Sequence, residues 1–106
     1  MNQFLTTELE SKREDLESLC LEYGVARLDL FGSGVTEQWQ PEESDLDFVV
    51  AFKPDRERSI ADRYLGLAER LEELFHRSVD LITERAIRNP YFRDNVDATR
   101  TPVYAE

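Results

Sequence analysis

Hydrophobic residues recur at steps of three and four in two long segments of the chain, which is the spacing of an amphipathic helix. The first segment covers residues 4 to 22 and is followed by Gly24, a residue type common just after a helix end. The second follows Ser59, a suitable N-cap residue, and runs to about Phe75. We therefore predict one helix in the first quarter of the chain and another in its centre.

Between and after these helices the pattern changes to short apolar or alternating runs, which are typical of strands. Residues 25 to 31 alternate and end in a Gly-Ser-Gly turn, and residues 46 to 52 are almost continuously apolar, as in a strand covered on both faces. A third short strand is predicted at residues 78 to 83. Val103 and Tyr104 are predicted to form a final edge strand.

Asn89 followed by Pro90 is a typical helix start, so a last short helix is predicted through about Val96. Helices and strands thus mix along the chain without an internal repeat or a linker. This order predicts an α/β (α+β) fold with a small mixed β-sheet packed by helices. At 106 residues, the range 1–106 is expected to be one domain.

Composition narrows the range of partners. Thirteen Lys and Arg stand against 23 Asp and Glu, giving a net charge of −10 that disfavours direct binding of nucleic acid. The single cysteine, Cys20, excludes an internal disulfide and fits a reducing compartment. Because the sequence contains no apolar run long enough for a membrane span, we expect a cytoplasmic protein without a membrane partner.

Three acidic residues stand out at strand positions. Asp45 and Asp47 are two residues apart, so both carboxylates project from one side of the strand, roughly 6 to 7 Å apart. Such close anions raise the pKa of at least one of them unless a cation lies between. Asp80 lies inside the apolar run 79–82, where a charge has a high desolvation cost unless it is paired or binds a metal.

These carboxylates suit Mg²⁺, which is bound by a few oxygen ligands together with the phosphates of a nucleotide. Two divalent ions would neutralise a triphosphate that a protein of this charge otherwise repels. At the other end of the loop, Gly32 allows close approach of the backbone, and Ser33 with the following amides offers hydrogen-bond donors to phosphate oxygens. Asp45, Asp47 and Asp80 are therefore the candidate metal ligands and catalytic residues, and Gly32 and Ser33 the candidate nucleotide-binding residues.

Other sites that contain similar motifs fit less well. An EF-hand loop would need an acidic or amide residue at position 49 and glycine at position 50, and both are valine. In a haloacid-dehalogenase-like phosphatase the aspartates follow the apolar strand, whereas here they precede it. A dinucleotide fingerprint would need a third glycine where Glu37 stands.

The segment Phe31-Gly32-Ser33, followed after eleven residues by Asp45-Leu46-Asp47-Phe48, resembles the signature of the DNA polymerase β-like nucleotidyltransferase superfamily. The preceding LCLEYGVARLDLFGS, the later RYLGLAERLEELFHRSVDLIT and the end TPVYAE resemble the minimal nucleotidyltransferase (MNT) proteins over nearly the whole chain. Unlike many of these proteins, the chain has no basic residue just after Ser33.

The resemblance implies that Asp45, Asp47 and Asp80 form the metal-binding catalytic triad and that Gly32 and Ser33 contact the nucleotide phosphates. It implies Mg²⁺, with two ions expected, and ATP as the substrate. Family members are commonly antitoxins that transfer AMP to a tyrosine of a HEPN-domain RNase toxin, which makes such a toxin the expected partner in a hetero-oligomer. The main alternative is an antitoxin that neutralises its toxin by direct binding, with a vestigial nucleotide site. A small-molecule nucleotidyltransferase is less favoured, because the chain has little room for an acceptor subdomain.

Overall fold

The computed structural model describes residues 3–36 and 45–106. In these ranges, residues with helical periodicity form four α-helices: α1 (Gln3–Ser11), α2 (Arg13–Glu22), α3 (Ile60–Phe75) and α4 (Pro90–Thr99). The apolar and alternating runs form four strands: β1 (Val25–Phe31), β2 (Leu46–Phe52), β3 (Val79–Thr83) and β4 (Thr101–Ala105). The starts of α3 and α4 are capped by the predicted residues, Ser59 and Asn89.

The first predicted helix is in fact two helices that meet at Lys12. There the backbone leaves helical geometry, with φ −107° and ψ 13°. The Lys12 ammonium group donates a hydrogen bond of 2.7 Å to the carbonyl oxygen of Leu74 in the last turn of α3. Carbonyls in the last turn of a helix lack intrahelical donors, so this side chain satisfies one of them.

The four strands form a mixed sheet in the order β3-β2-β1-β4. Strands β2 and β3 are parallel, whereas β1 is antiparallel to both β2 and β4. The predicted fold class, an α+β domain with a small mixed sheet, is therefore confirmed. The register places Phe31, Asp47 and Asp80 side by side across β1, β2 and β3.

Both faces of the sheet are covered at its centre. On one face, Phe48 and Val50 of β2 join the main core with α2 and α3. On the other face, Phe31, Val49, Ile87 and Val96 form a smaller cluster beneath α4. The nearly continuous apolar run of β2 follows from this position, because successive side chains enter different cores.

None of the helices in the described ranges is both long enough and apolar enough to cross a membrane.

Candidate functional site

Asp47 is the central side chain of the candidate site. It is the second residue of β2 and faces the same side of the sheet as Val49, the side on which α4 packs. Its strand neighbours are Phe31 on β1 and Asp80 on β3, and Asp45 lies just before β2. The fold therefore brings the three predicted acidic residues to one end of the sheet.

The Asp47 carboxyl shows the electrostatic effect of this arrangement. Partial burial, with the nearby charges of Asp80 and then Asp45, raises the pKa of Asp47 from 3.8 to about 6. No lysine or arginine of the described residues forms an ion pair with any of the three acids. Among the described residues, the site thus concentrates negative charge without a paired counter-charge.

Asp80 is exposed, contrary to the expectation that it lies in a buried strand. Its strand, β3, is at the edge of the sheet, so its side chains have a neighbouring strand on only one side. The desolvation argument for Asp80 is therefore wrong, although its predicted closeness to Asp47 holds. Exposure leaves the Asp80 carboxylate accessible to molecules that approach from solvent.

Gly32 adopts a conformation that only glycine accommodates readily here. Its φ is +72°, and a Cβ atom at this position would lie 2.8 Å from Oδ2 of Asp47. The Gly32 amide donates a hydrogen bond of 2.9 Å to Oγ1 of Thr99, the last residue of α4. This amide is therefore already occupied within the protein, and the role of Gly32 is to let the turn pass close to Asp47.

Ser33 follows in a short 3₁₀ turn (Gly32–Val35) and is partly exposed. Its carbonyl oxygen accepts hydrogen bonds from the amide and the hydroxyl of Thr36, both at 3.1 Å. Within the part of the chain that the structure describes, the Ser33 hydroxyl has no hydrogen-bond partner. The hydroxyl can therefore donate to a ligand at this turn. The loop from Glu37 to Ser44, with its lack of basic residues, lies outside the described residues.

The donor set fits a divalent cation that arrives with a nucleotide. Within residues 3–36 and 45–106, no group of three or more His, Cys, Asp or Glu side chains is arranged to hold a metal ion by itself. Mg²⁺ usually keeps several waters and is bound by one or two carboxylates plus substrate phosphates, so a complete protein cage is not required. Burial and then the repulsion from Asp80 and Asp45 raise the pKa of Asp47, and a bound cation would relieve the repulsion.

A second set of charges fixes α4 beside this site, and sequence reasoning missed it. Asp29 of β1 is fully buried and is paired with Arg27 at 2.9 Å and with Arg100 at 2.8 Å. Arg100 also binds Glu84 at 2.7 Å, and this hydrogen bond is the main reason why the pKa of Glu84 is lowered. The sequence signal for this network was Asp29, an aspartate inside the apolar strand 25–31. Its distant partner, Arg100, cannot be identified from the local sequence pattern.

Comparison with known proteins gives a consistent picture. The profile of the family described as Nucleotidyltransferase domain matches residues 12–100, a range that contains every candidate site residue. A candidate protein adenylyltransferase of Methanocaldococcus jannaschii is 40% identical over 75 residues, covering 71% of this chain and 73% of the relative.

Solved structures agree with the sequence relatives. A candidate minimal nucleotidyltransferase superposes with a TM-score of 0.70 at 35% identity, covering 92% of this chain and 94% of the other. The Shewanella oneidensis complex of a tri-AMPylated HEPN toxin with an MNT antitoxin matches with a TM-score of 0.61 at 16% identity, covering 92% of this chain and 73% of that one. The latter likeness concerns the fold alone.

The resemblance found in the Gly-Ser turn and in Asp45 and Asp47 at the start of β2 is thus confirmed over most of the chain, as is the enzyme class. The protein belongs to the nucleotidyltransferase domain family and is a nucleotidyltransferase of the minimal type.

Proposed function

We propose that this protein transfers AMP from ATP to a tyrosine hydroxyl of a partner HEPN RNase toxin, with Mg²⁺, and that it acts in this way as an antitoxin. The observation that carries the proposal is that three carboxylates meet beside the Gly32 turn and that none of them forms an ion pair with a described lysine or arginine. An acidic site of this kind, in a family of nucleotidyltransferases, fits a metal-bound nucleotide better than a free anion.

Asp45, Asp47 and Asp80 would hold the metal, for which we expect two ions. When bound, Mg²⁺ neutralises phosphate charge and stabilises the pyrophosphate leaving group. Asp47 is the best-placed ligand, because it lies between the Gly32 turn and Asp80. Loss of its proton, with a pKa of about 6, leaves it ready as a ligand at neutral pH.

The Gly32 turn would hold the β- and γ-phosphates. Ser33 would donate its hydroxyl to a phosphate oxygen. Because Gly32 has no side chain, the turn can pass close to Asp47. Since the Gly32 amide is occupied by Thr99, the phosphate contacts come from Ser33 and the residues after it. This division keeps the phosphates on one side of Asp47 and the acceptor on the other.

Asp80 is suited to the acceptor side of the reaction. It is exposed, lies on the edge strand and is adjacent to Asp47. A carboxylate in this position can accept the proton of an incoming hydroxyl while the oxygen attacks the α-phosphorus of ATP, with pyrophosphate leaving. An open edge also admits a tyrosine that belongs to a folded protein.

The identity of the acceptor is supported by relatives. The sequence relative in Methanocaldococcus jannaschii is described as acting on protein, and the Shewanella oneidensis complex pairs an MNT antitoxin with a tri-AMPylated HEPN toxin. The net charge of −10 suits a basic partner such as an RNase and disfavours RNA itself as the acceptor.

The test is incubation of the protein with labelled ATP, Mg²⁺ and the product of its neighbouring gene, which we expect to be a HEPN toxin. We expect label on a toxin tyrosine, and loss of labelling in Asp45→Asn, Asp47→Asn and Asp80→Asn. The matched control is Asp94→Asn, which changes an exposed aspartate of α4 that forms no ion pair with another described residue. Absence of label from the toxin with every nucleotide tested would overturn the proposal.

A second arm separates catalysis from simple binding. The triple variant Asp45→Ala, Asp47→Ala and Asp80→Ala should lose protection against the toxin in cells while still binding it in vitro. Full protection by this variant would instead identify a binding antitoxin with a vestigial nucleotide site.

A further inference from the structure

Thr99 makes a contact that sequence reasoning did not anticipate. Its hydroxyl donates to the carbonyl oxygen of Asn95 at 3.1 Å and accepts the amide of Gly32 at 2.9 Å, across 67 positions of sequence. With its hydrogen directed to Asn95, the oxygen presents its lone pairs to Gly32. A serine hydroxyl could make both hydrogen bonds, whereas valine has the same shape as threonine and can make neither.

The turn held by Thr99 is in direct contact with the acidic site. Gly32 passes so close to Asp47 that a Cβ atom would lie 2.8 Å from its Oδ2. A small shift of the turn therefore changes both the position of Ser33 and the surroundings of the Asp47 carboxylate. The geometry couples the phosphate side and the metal side of the site through one backbone residue.

Thr99 is itself firmly held. The amide of Arg100 donates to Val96 at 2.7 Å, and the hydroxyl of Thr101 donates to the Thr99 carbonyl at 3.2 Å. The Arg100 guanidinium binds the buried Asp29 of the central strand β1. Thr99 thus provides the turn with a fixed point on the rigid part of the fold.

We propose that Thr99 is a positioning residue for nucleotide binding: its hydroxyl fixes the Gly32 turn so that Ser33 faces the phosphates while Asp47 keeps its place beside them. This inference rests on the proposed function, because it takes the turn as the phosphate site. Thr99 does not touch the nucleotide, and it acts through the amide of Gly32.

The test compares Thr99→Val and Thr99→Ser, with Thr7→Val as a control that removes an exposed threonine hydroxyl from α1. Affinity for AMP-PNP with Mg²⁺ is measured by calorimetry at a temperature where circular dichroism shows each variant to be folded, and kcat for AMP transfer is measured in parallel. We expect Thr99→Val to bind about tenfold more weakly and to transfer AMP at least about tenfold more slowly, because preorganisation is lost. Thr99→Ser should remain within about twofold of the wild type, as should Thr7→Val.

The outcomes are distinct. A merely structural role for Thr99 predicts a lower Tm for Thr99→Val with unchanged affinity and kcat in the folded protein, and that result would overturn the inference alone. Equal losses in the serine and valine variants would also overturn it, because the hydroxyl would then be irrelevant. Failure of the wild type to bind Mg²⁺ and AMP-PNP would overturn the proposed function, and the inference with it.

Discussion

Asp47 and Asp80 are direct neighbours on the parallel strands β2 and β3, and partial burial together with the charge of Asp80 raises the pKa of Asp47 to about 6. Charge repulsion of this kind reduces the stability of the folded protein unless a cation is bound. The site is therefore expected to be a point of local instability in the metal-free protein.

Replacing the charge at position 47 should stabilise the metal-free protein. The pKa of Asp47 is higher in the folded state than its ordinary value of 3.8, so ionisation disfavours folding. This destabilisation is absent at pH values below the pKa of Asp47 in the unfolded state, and it is fully present above the pKa of Asp47 in the folded state. We expect Asp47→Asn to raise the free energy of unfolding by about 1 kcal/mol at neutral pH, discounted for solvent screening, and by much less near pH 4. Denaturant unfolding at both pH values, with Asp94→Asn for comparison, checks this; an equal effect at both would contradict it.

Protons should compete with the metal. Asp47 is protonated below its pKa of about 6, and a protonated carboxyl is a poor ligand. Affinity for Mg²⁺ with AMP-PNP is therefore expected to fall as the pH is lowered from about 7.5 to 5.5. Asp47 should take up a proton when the metal is released. Calorimetry in buffers of different ionisation enthalpy measures this uptake. A pH-independent affinity would show that Asp47 is not a ligand.

Gly32 can be tested against a glycine of matching conformation. Gly24 also has a positive φ, +66°, but the closest atom to a Cβ there would be Nη1 of Arg63, at 3.0 Å, which is not part of the acidic site. Alanine at either position costs about 1–2 kcal/mol of conformational energy. We expect Gly32→Ala to abolish nucleotide binding as well, because the new methyl group meets the Asp47 carboxylate. Gly24→Ala should keep the wild-type affinity, and loss of binding in both variants would point to a general effect on folding.

The Arg100 network should matter far more for stability than an exposed ion pair. Arg100 neutralises the fully buried Asp29, so Arg100→Gln leaves that carboxylate with Arg27 alone and should lower the free energy of unfolding by about 2–4 kcal/mol. Arg13 pairs with Glu17 at 4.0 Å on an exposed face of α2. Arg13→Gln is expected to change stability by less than about 1 kcal/mol. If thermal unfolding shows similar losses of stability for Arg100→Gln and Arg13→Gln, the buried network is no more important than the exposed ion pair and this prediction is wrong.

Local pattern was sufficient for the parts of the fold that depend on neighbouring residues. Alternation located β1, continuous apolarity located β2, and Asn89 with Pro90 located the start of α4. The grouping of Asp45 and Asp47 near Gly32 followed from strand geometry and from the resemblance. The mixed sheet was likewise predictable from the order of elements.

The features that were missed depend on distant residues. The exposure of Asp80 follows from the edge position of β3, which its own sequence does not encode. The contacts of Thr99 with Gly32 and of Arg100 with Asp29 span 67 and 71 positions. A single sequence gives no spacing rule for such pairs, because they form only when the complete sheet brings α4 back to β1.

The place of β4 in the sheet also has a consequence for the order of events in folding. Strand β1 pairs on one side with β2 and on the other with β4, whose residues come after every other element described. Thr99, which holds the Gly32 turn, lies two residues before β4 begins. During synthesis, the Gly-Ser turn and the three carboxylates are made before Thr99, the residue that holds the turn. Because such long-range contacts form late, we expect competence to bind nucleotide to appear only at the end of folding, together with closure of the sheet.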